Sequence, residues 1–583
     1  MSSSPSSSLS PAQPLVESEP EPAWKPPVSR RRAKIIFGFI LIVQFMLSVD
    51  MTSVAVALPS VAKSMQASRT AVFSMGTVFS LSATICQQPL AELSHVMGRK
   101  PAFLLVLVMF ALGSIIAGTA KSMTVVLVGR GIQGMSSSAS VLAAMVLSDM
   151  IEVKDRATWI SYQNAAQALG LVFGPLMAGA LIKSVGWRSI FFINLPSIGI
   201  SALGLWYFLG FDKPKGKMLD NLKRVDWVGI VIFTPSSVAF LAPFTMAGVL
   251  FKWKSWKALV PLFGGLAGLL LLAAHQRFWA KNPMFRAVVF EKPVVVCSLF
   301  GLTVFGVCVN MIFYYLVVFW SGVRGFDEIL TGIALLPETL TIPISAILCG
   351  FWMRRTNEIR SSMRVGWPLT VLFLGLLWFQ DEKTHLGVLI PINIGVGFGA
   401  GVISSAMNVT ILAATAKKIN GHVTAMAYLF KSAGMCLGIA VGTAIFTLQM
   451  TERFKAIGGD EMDSESMLRM LKDVKSNPES RGAIVSSLRV LWMVCCGLAG
   501  ISGVLCNLWK YPLIDKNKAA AGVGNADVQN QAEQGITVQE NASTSTDSGC
   551  YDSSPISGQA SIVDIPQQKG TEVVVVGERQ SEP

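Results

Sequence analysis

Residues 125–138 read VVLVGRGIQGMSSS, an apolar helical run with an arginine, Arg130, in its middle. A charge at the centre of a membrane span costs at least ~2.5 kcal/mol, so a span here requires Arg130 to meet a partner or a water-filled space. The composition around it favours the span. Of the 583 residues, 52% are hydrophobic and only 14% are charged, with a mean hydropathy of +0.54. Soluble domains carry about 25% charged residues. The chain therefore reads as an all-α polytopic membrane protein.

A bilayer core asks for ~20 apolar residues per helix. On that measure spans are expected near 35–59, 70–92, 101–119, 122–147, 158–183 and 189–210, forming a first six-helix bundle. A basic linker, FDKPKGKMLDNLKR at 211–224, leads to two further spans near 226–250 and 258–276. A second set of six is expected near 293–320, 329–353, 365–380, 384–415, 420–448 and 487–509. The total is about fourteen, arranged as two six-helix bundles and two linker helices. The domains expected are a disordered N-terminal tail at 1–34, a bundle at 35–210, the linker with its two helices at 211–292, a bundle at 293–512 and a disordered tail at 513–583. The last is rich in Ser, Thr, Gln, Asn, Gly and Ala.

The excess of 48 Lys and Arg over 35 Asp and Glu does not point to nucleic acid, because the basic residues lie in short segments between apolar runs. Roughly 26 fall at one face and roughly 10 at the other, which puts both termini in the cytosol. Nine cysteines lie mostly in apolar runs without a zinc-type pair and read as packing residues. No metal site and no catalytic residue is expected. An acyltransferase-like HxxxxD is missing, since the fifth residues after His95, His275, His385 and His422 are Lys100, Ala280, Ile390 and Ala427. GFDKPKGKM at 210–218 has the wrong spacing for a nucleotide-binding loop. An ion gradient remains as the energy source, and no cofactor is implied.

Arg130 lies about seven residues inside the outer end of its span, ~11 Å deep at ~1.5 Å per residue. Asp50 lies ~7 Å below the same surface. The matching depths predict a buried couple, with Gln133 one turn from Arg130 as a further partner. It serves either as a proton-responsive element or as a static ion pair. Next, ALGLVFGPLMAGAL carries Gly170, Gly174, Pro175 and Gly179. The glycines at four-residue spacing admit a neighbouring helix, and Pro175 removes a backbone hydrogen bond. Polar or aromatic residues in spans mark a candidate substrate cavity: Gln163, Asn164, Gln167, Asn310, Tyr314, Tyr315, Glu338, Asn408 and Lys431. Glu338 is expected at the outer mouth. Lys431 requires an anionic partner or a snorkelling route.

These stretches resemble the major facilitator superfamily, in particular its fourteen-spanner drug:proton antiporter branch as found in fungi. VDMTSVAVALP at 49–59 resembles the branch's first-helix signature, with Ala55 where Asn is usual. PLAELSHVMGRK at 89–100 resembles the loop between helices two and three, keeping Gly98, Arg99 and Lys100, with His95 in place of the usual acidic residue and Glu92 three residues earlier. RGIQG at 130–134 resembles the fourth-helix proton-transfer motif, and GLVFGPLMAGAL at 170–181 the fifth-helix antiporter motif. WRSIFFINLP at 187–196 and YYLVVFWSGVRGFDEILTGIALLP at 314–337 resemble the branch's sixth-helix entry and a later hairpin. The resemblance covers about residues 35 to 510.

It implies the major facilitator fold and alternating access, with protons running inward and a small amphipathic compound, drug or secondary-metabolite toxin, running outward. It also implies a cytosolic gating loop of Glu92, His95, Gly98, Arg99 and Lys100. The partners expected are the small-molecule substrate, protons and the lipid bilayer around a monomer, most readily in the plasma membrane, alternatively a vacuolar or vesicular one. Uptake of a siderophore or nutrient, and a non-transporting sensor with a signalling tail, are the competing readings.

Overall fold

A computed structural model describes residues 28–67, 69–151, 153–210, 218–223, 225–246, 255–326, 328–415, 419–456, 478–509 and 511. The tails expected at 1–34 and 513–583 fall largely outside these residues. The exception is the end of the first, because α1 (Arg30–Met65) already begins at Arg30. The Ser29 side chain accepts a hydrogen bond from the Arg32 backbone N–H at 3.4 Å, which caps the helix and extends it into the basic cluster.

The first bundle continues with α2 (Arg69–Met97), α3 (Arg99–Thr119), α4 (Met123–Ser136), α5 (Ala139–Met150), α6 (Val153–Ser184), the short α7 (Ser189–Phe192) and α8 (Asn194–Phe208). A single span expected at 122–147 is thus two helices. The break has a local cause. Ser136 Oγ donates to the Gln133 carbonyl (2.5 Å) and Ser138 Oγ to the Met135 carbonyl (2.7 Å), offering the backbone a competing set of bonds. The end of α2 meets α3 at Gly98, whose φ of +94° is open to glycine and costly for other residues.

After the short α9 (Met218–Leu222), α10 (Trp227–Met246) and α11 (Trp256–Phe278) pack on each other. Asp226 joins them: its carboxylate accepts from the Gly229 backbone N–H at 2.8 Å, lies 3.1 Å from His275 Nε2 and accepts from Gln276 Nε2 at 2.5 Å. The second bundle is α12 (Pro293–Val318), ending in a π-helical turn at Phe319–Val323, then α13 (Glu328–Thr356), α14 (Arg360–Leu376), α15 (Leu386–Ala414), α16 (Asn420–Ala456) and α17 (Pro478–Asn507).

Twelve helical segments among the described residues are long and apolar enough to cross a membrane. The segments α2 and α4–α5 are not among them, and the α4–α5 pair is split into helices of 14 and 12 residues. In hydrocarbon every backbone polar group must be satisfied inside the protein, and a helix does this within its own segment. α3 shows the consequence, with Leu105, Val108, Leu112 and Ile115 exposed on one face while Phe103, Val106 and Phe110 are buried on the other.

The second bundle has one core, built around the fully buried Trp320, Trp367 and Trp492. The first has two, one centred on Ile36, Phe103 and Met145 and another on Val54, Met75 and Phe191. The two bundles meet where α6 packs on α13 and α15, and where α2 and α5 pack on α16.

Candidate functional site

Between the two cores of the first bundle the expected couple is formed. Arg130 Nη1 donates to Asp50 Oδ2 at 2.6 Å, with both side chains 1% exposed. The same nitrogen donates to Gln133 Oε1 at 2.8 Å, one turn away on α4. Gln133 Nε2 donates to Ser114 Oγ (2.8 Å) and to Asp50 Oδ1 (3.3 Å). Asn194 Nδ2, at the start of α8, donates to Asp50 Oδ1 at 2.8 Å. The guanidinium also lies over the Phe79 ring, 4.3 Å from its centroid, which adds a cation–π attraction in a desolvated setting.

Five helices therefore converge on one carboxylate and one guanidinium. Small residues make the approach possible: a Cβ on Gly113 would stand 2.7 Å from Gln133 Cγ, and one on Gly129 would stand 2.7 Å from the Ala117 backbone nitrogen. Asn194, Ser114 and Phe79 were not singled out from the sequence. Asn194 had a signal, as a lone amide in the apolar run SIFFINLP, whereas Ser114 and Phe79 are ordinary residues of membrane helices.

The glycine motif faces α1. Gly170 packs against the Phe45 carbonyl, and a Cβ on Gly174 would stand 2.9 Å from the Val49 carbonyl oxygen and overlap Thr52 Oγ1. Ser53 Oγ donates to the Gly174 carbonyl at 3.1 Å. α6 runs through Pro175 without interruption. Gly179 departs from the expectation: nothing lies within 4 Å of the position its Cβ would take, because it lies one residue past the face that Gly170, Gly174 and the fully buried Ala178 share.

The end that the charge bias assigns to the cytosol is held by contacts within the first bundle and across to the second. Arg99 Nε donates to Asp149 Oδ2 at 2.8 Å and its Nη1 to Ser94 Oγ at 2.7 Å. Glu92 Oε1 lies 2.8 Å from His422 Nδ1, and the His95 ring stacks on the His422 ring with centroids 3.9 Å apart. Arg354 reaches Asp155 at 3.0 Å. Lys100 does not join this set; its ammonium lies 5.7 Å from the Trp206 ring. Burial, and then the charge of Arg99 and the adjacent His422 and Arg286, hold the His95 imidazole well below its ordinary range. His422 and Asp149 lie hundreds and tens of residues from their partners, so the sequence offered no cue for them.

The residues assigned to a substrate cavity do not share one place. Tyr315 is buried in the second bundle's core, its ring 5.3 Å from Phe446, so it does not line an open cavity; the neighbouring Tyr314 is 48% exposed. Glu338 is 1% exposed within the second bundle, not at an outer mouth. It lines a void of about 20 Å³ among Phe305, Trp367 and Ile403, enough for one water. Asn310 Nδ2 donates to the Met435 carbonyl (2.7 Å) and Asn408 Nδ2 to the Ser404 carbonyl (2.8 Å), so both serve helix backbones. Gln167 Nε2 donates to Gln44 Oε1 at 2.7 Å. Lys431 has no anionic partner among the described residues; its ammonium stands 5.6 Å from the Phe305 ring and 6.0 Å from the Tyr428 ring.

Residues 40–439 match the family described as the Major Facilitator Superfamily. Among curated proteins, the chain is 33% identical to MFS transporter L2 of Phoma sp. over 80% of each chain. It is 25% identical to MFS-type efflux pump LUC4 of Fusarium sp. over 84% of this chain and 90% of that protein. It is 24% identical to efflux pump FUS6 of Gibberella moniliformis over 85% and 91%, respectively. Among solved structures, the human organic anion transporter MFSD10 (TETRAN) resembles it in fold, with a TM-score of 0.52 at 14% identity over 80% of this chain and 99% of that one.

Proposed function

Since the chain belongs to the Major Facilitator Superfamily, we propose that this transporter exports a small amphipathic organic compound, a xenobiotic or a secondary metabolite, in exchange for protons. The observation that carries this reading is the Asp50–Arg130 pair, fully buried and served by Gln133 and Asn194. Ionisable groups at such depth mark ion and proton routes. A proton on Asp50 cancels its attraction for Arg130 and leaves the guanidinium short of a counter-charge, so loading the site changes which helix arrangement is favoured.

The relatives named efflux pumps support the outward direction. In this reading α2 and α4–α5 also span, giving fourteen helices as six, two and six around a monomer, and the plasma membrane is its place. Inside-out vesicles carrying the chain, with a pH-sensitive dye in the lumen, test the coupling. In these vesicles an acid lumen should drive uptake of amphipathic test compounds, and adding such a compound should release protons from the lumen. Uptake indifferent to the pH gradient would sink the proposal, and uptake driven by the opposite gradient would favour a nutrient importer.

The stacked histidines add a pH dependence to the cytosolic closure. With the face closed, His95 is held neutral; opening it to water returns the imidazole to its ordinary pKa of ~6.5. Proton uptake therefore favours the open form. The contribution of His95 to closure is complete above ~6.5 and is lost as pH falls below it. Spin labels at the ends of α2 and α16 should move apart on acidification in the wild type, and His95→Asn should flatten that response. An unchanged profile in the variant would remove His95 from the closure.

A further inference from the structure

Lys431 lies eleven residues into α16, ~16 Å along its axis, near the middle of a ~30 Å hydrocarbon core. An ammonium at that depth is costly without a counter-charge. None is supplied by the described residues, where Lys431 meets only the faces of Phe305 and Tyr428. The ground it faces is also short of partners. Tyr428 accepts a 3.4 Å hydrogen bond from Gln163 Nε2, which crosses from α6 in the opposite bundle. Gln163 Oε1 and Gln44 Nε2, on fully buried side chains, have no hydrogen-bond partner. Gln44 Oε1 is already engaged by Ser140 Oγ at 2.8 Å and Gln167 Nε2 at 2.7 Å. Two unpaired amide atoms on fully buried side chains, linked through Ser140 and Tyr428 to the neighbourhood of an ammonium without a counter-charge, are the pattern of a site whose remaining partner is a ligand.

We propose that Lys431 is the counter-charge for a single anionic group, a carboxylate or an ionised phenol or enol, on the transported compound, with Gln44 and Gln163 bonding its polar substituents. This rests on the transport reading above and narrows it to acidic amphipathic compounds. The aromatic faces of Phe305 and Tyr428 suit a conjugated or ring-bearing body beside the charge. A neutral ester of the same body leaves the ammonium unpaired, and an amine adds a second cation, so the site discriminates by charge at constant shape.

Binding to the purified full chain in lipid nanodiscs tests this with three probes of one skeleton: pyrenebutyric acid, its methyl ester and pyrenebutylamine. The acid should bind about tenfold or more tightly than the ester and the amine. Lys431→Met should erase that preference, while Lys431→Arg should keep most of it and shows that the fold tolerates substitution at this position. An acid that binds no better than the ester or amine, or a preference that survives Lys431→Met, overturns the inference. So does displacement of the acid by chloride or by an anionic lipid at comparable concentrations, which would reassign the cation to an inorganic ion or a headgroup. Accumulation of the same probes in pump-deficient cells separates the two readings. Lys431-dependent binding without export leaves Lys431 as an anion-binding site and removes the transport reading, whereas export of the ester in preference to the acid overturns the anion site and leaves transport standing.

Discussion

Arg130→Ala should abolish proton-driven export and lower the amount of folded protein. The substitution strands Asp50 in the bundle with only the amides of Gln133 and Asn194 to hold it. Breaking one side of a buried ion pair costs about 3–5 kcal/mol, a large share of any protein's margin. Asp50→Asn should be as damaging to transport, because it leaves the guanidinium uncompensated and removes the group that takes the proton. Loss of function alone does not separate a coupling pair from a static one. The double variant Asp50→Asn with Arg130→Gln does, since it removes both charges and leaves amides able to bond each other. For a coupling pair, thermal stability in detergent and membrane abundance recover towards wild type while substrate-driven proton movement stays absent. If transport returns with stability, the pair is structural and the proposed coupling site is wrong.

The second large effect separates glycines within one motif. Gly170→Ala and Gly174→Ala should each cost about 1–3 kcal/mol through overpacking and strongly reduce transport, because the added methyl meets backbone of α1 at Phe45 or Val49 that has no rotamer to change. Gly179→Ala should be silent or stabilising by up to ~1 kcal/mol, since the methyl enters open space and alanine is the better helix former. Melting curves and initial export rates for the three variants check this. Equal damage from all three would mean that the motif acts through helix flexibility and not through its contact with α1. Adding Thr52→Ala should relieve Gly174→Ala in part, as Thr52 Oγ1 is one of the two atoms the methyl strikes.

Much of this molecule was legible in the chain. Twelve of the fourteen expected spans came through among the described residues, because a run of apolar residues is a local property and the bilayer sets one length for all of them. The two helices of the linker agree with their expected ranges to within a few residues. Arg130 and Asp50 were matched by depth alone, which works because rise along a helix is constant and a buried charge tolerates few alternatives. The place of His95 just before the basic Arg99 and Lys100 was visible, but its stacking on His422 was not.

What only the tertiary structure decided is the rotation of each helix about its own axis. A residue's depth follows from counting, whereas its direction follows from which face the neighbours cover, and a helix apolar all round carries no stripe to announce it. Hence Gly170 and Gly174 press on α1 while Gly179 in the same motif faces open space. Tyr315 turns into a core while Tyr314 turns out of it, and Glu338 is enclosed where an outer mouth was expected. The break after Ser136 and the place of Asn194 beside Asp50 belong to the same class, as does the absence of any carboxylate opposite Lys431 among the described residues. Hydropathy determined the membrane class and twelve of the span positions, and counting along the helices matched Asp50 with Arg130, because those are sums along one dimension. Helix packing determined which of those charges are paired, because pairing depends on angles that no such sum contains.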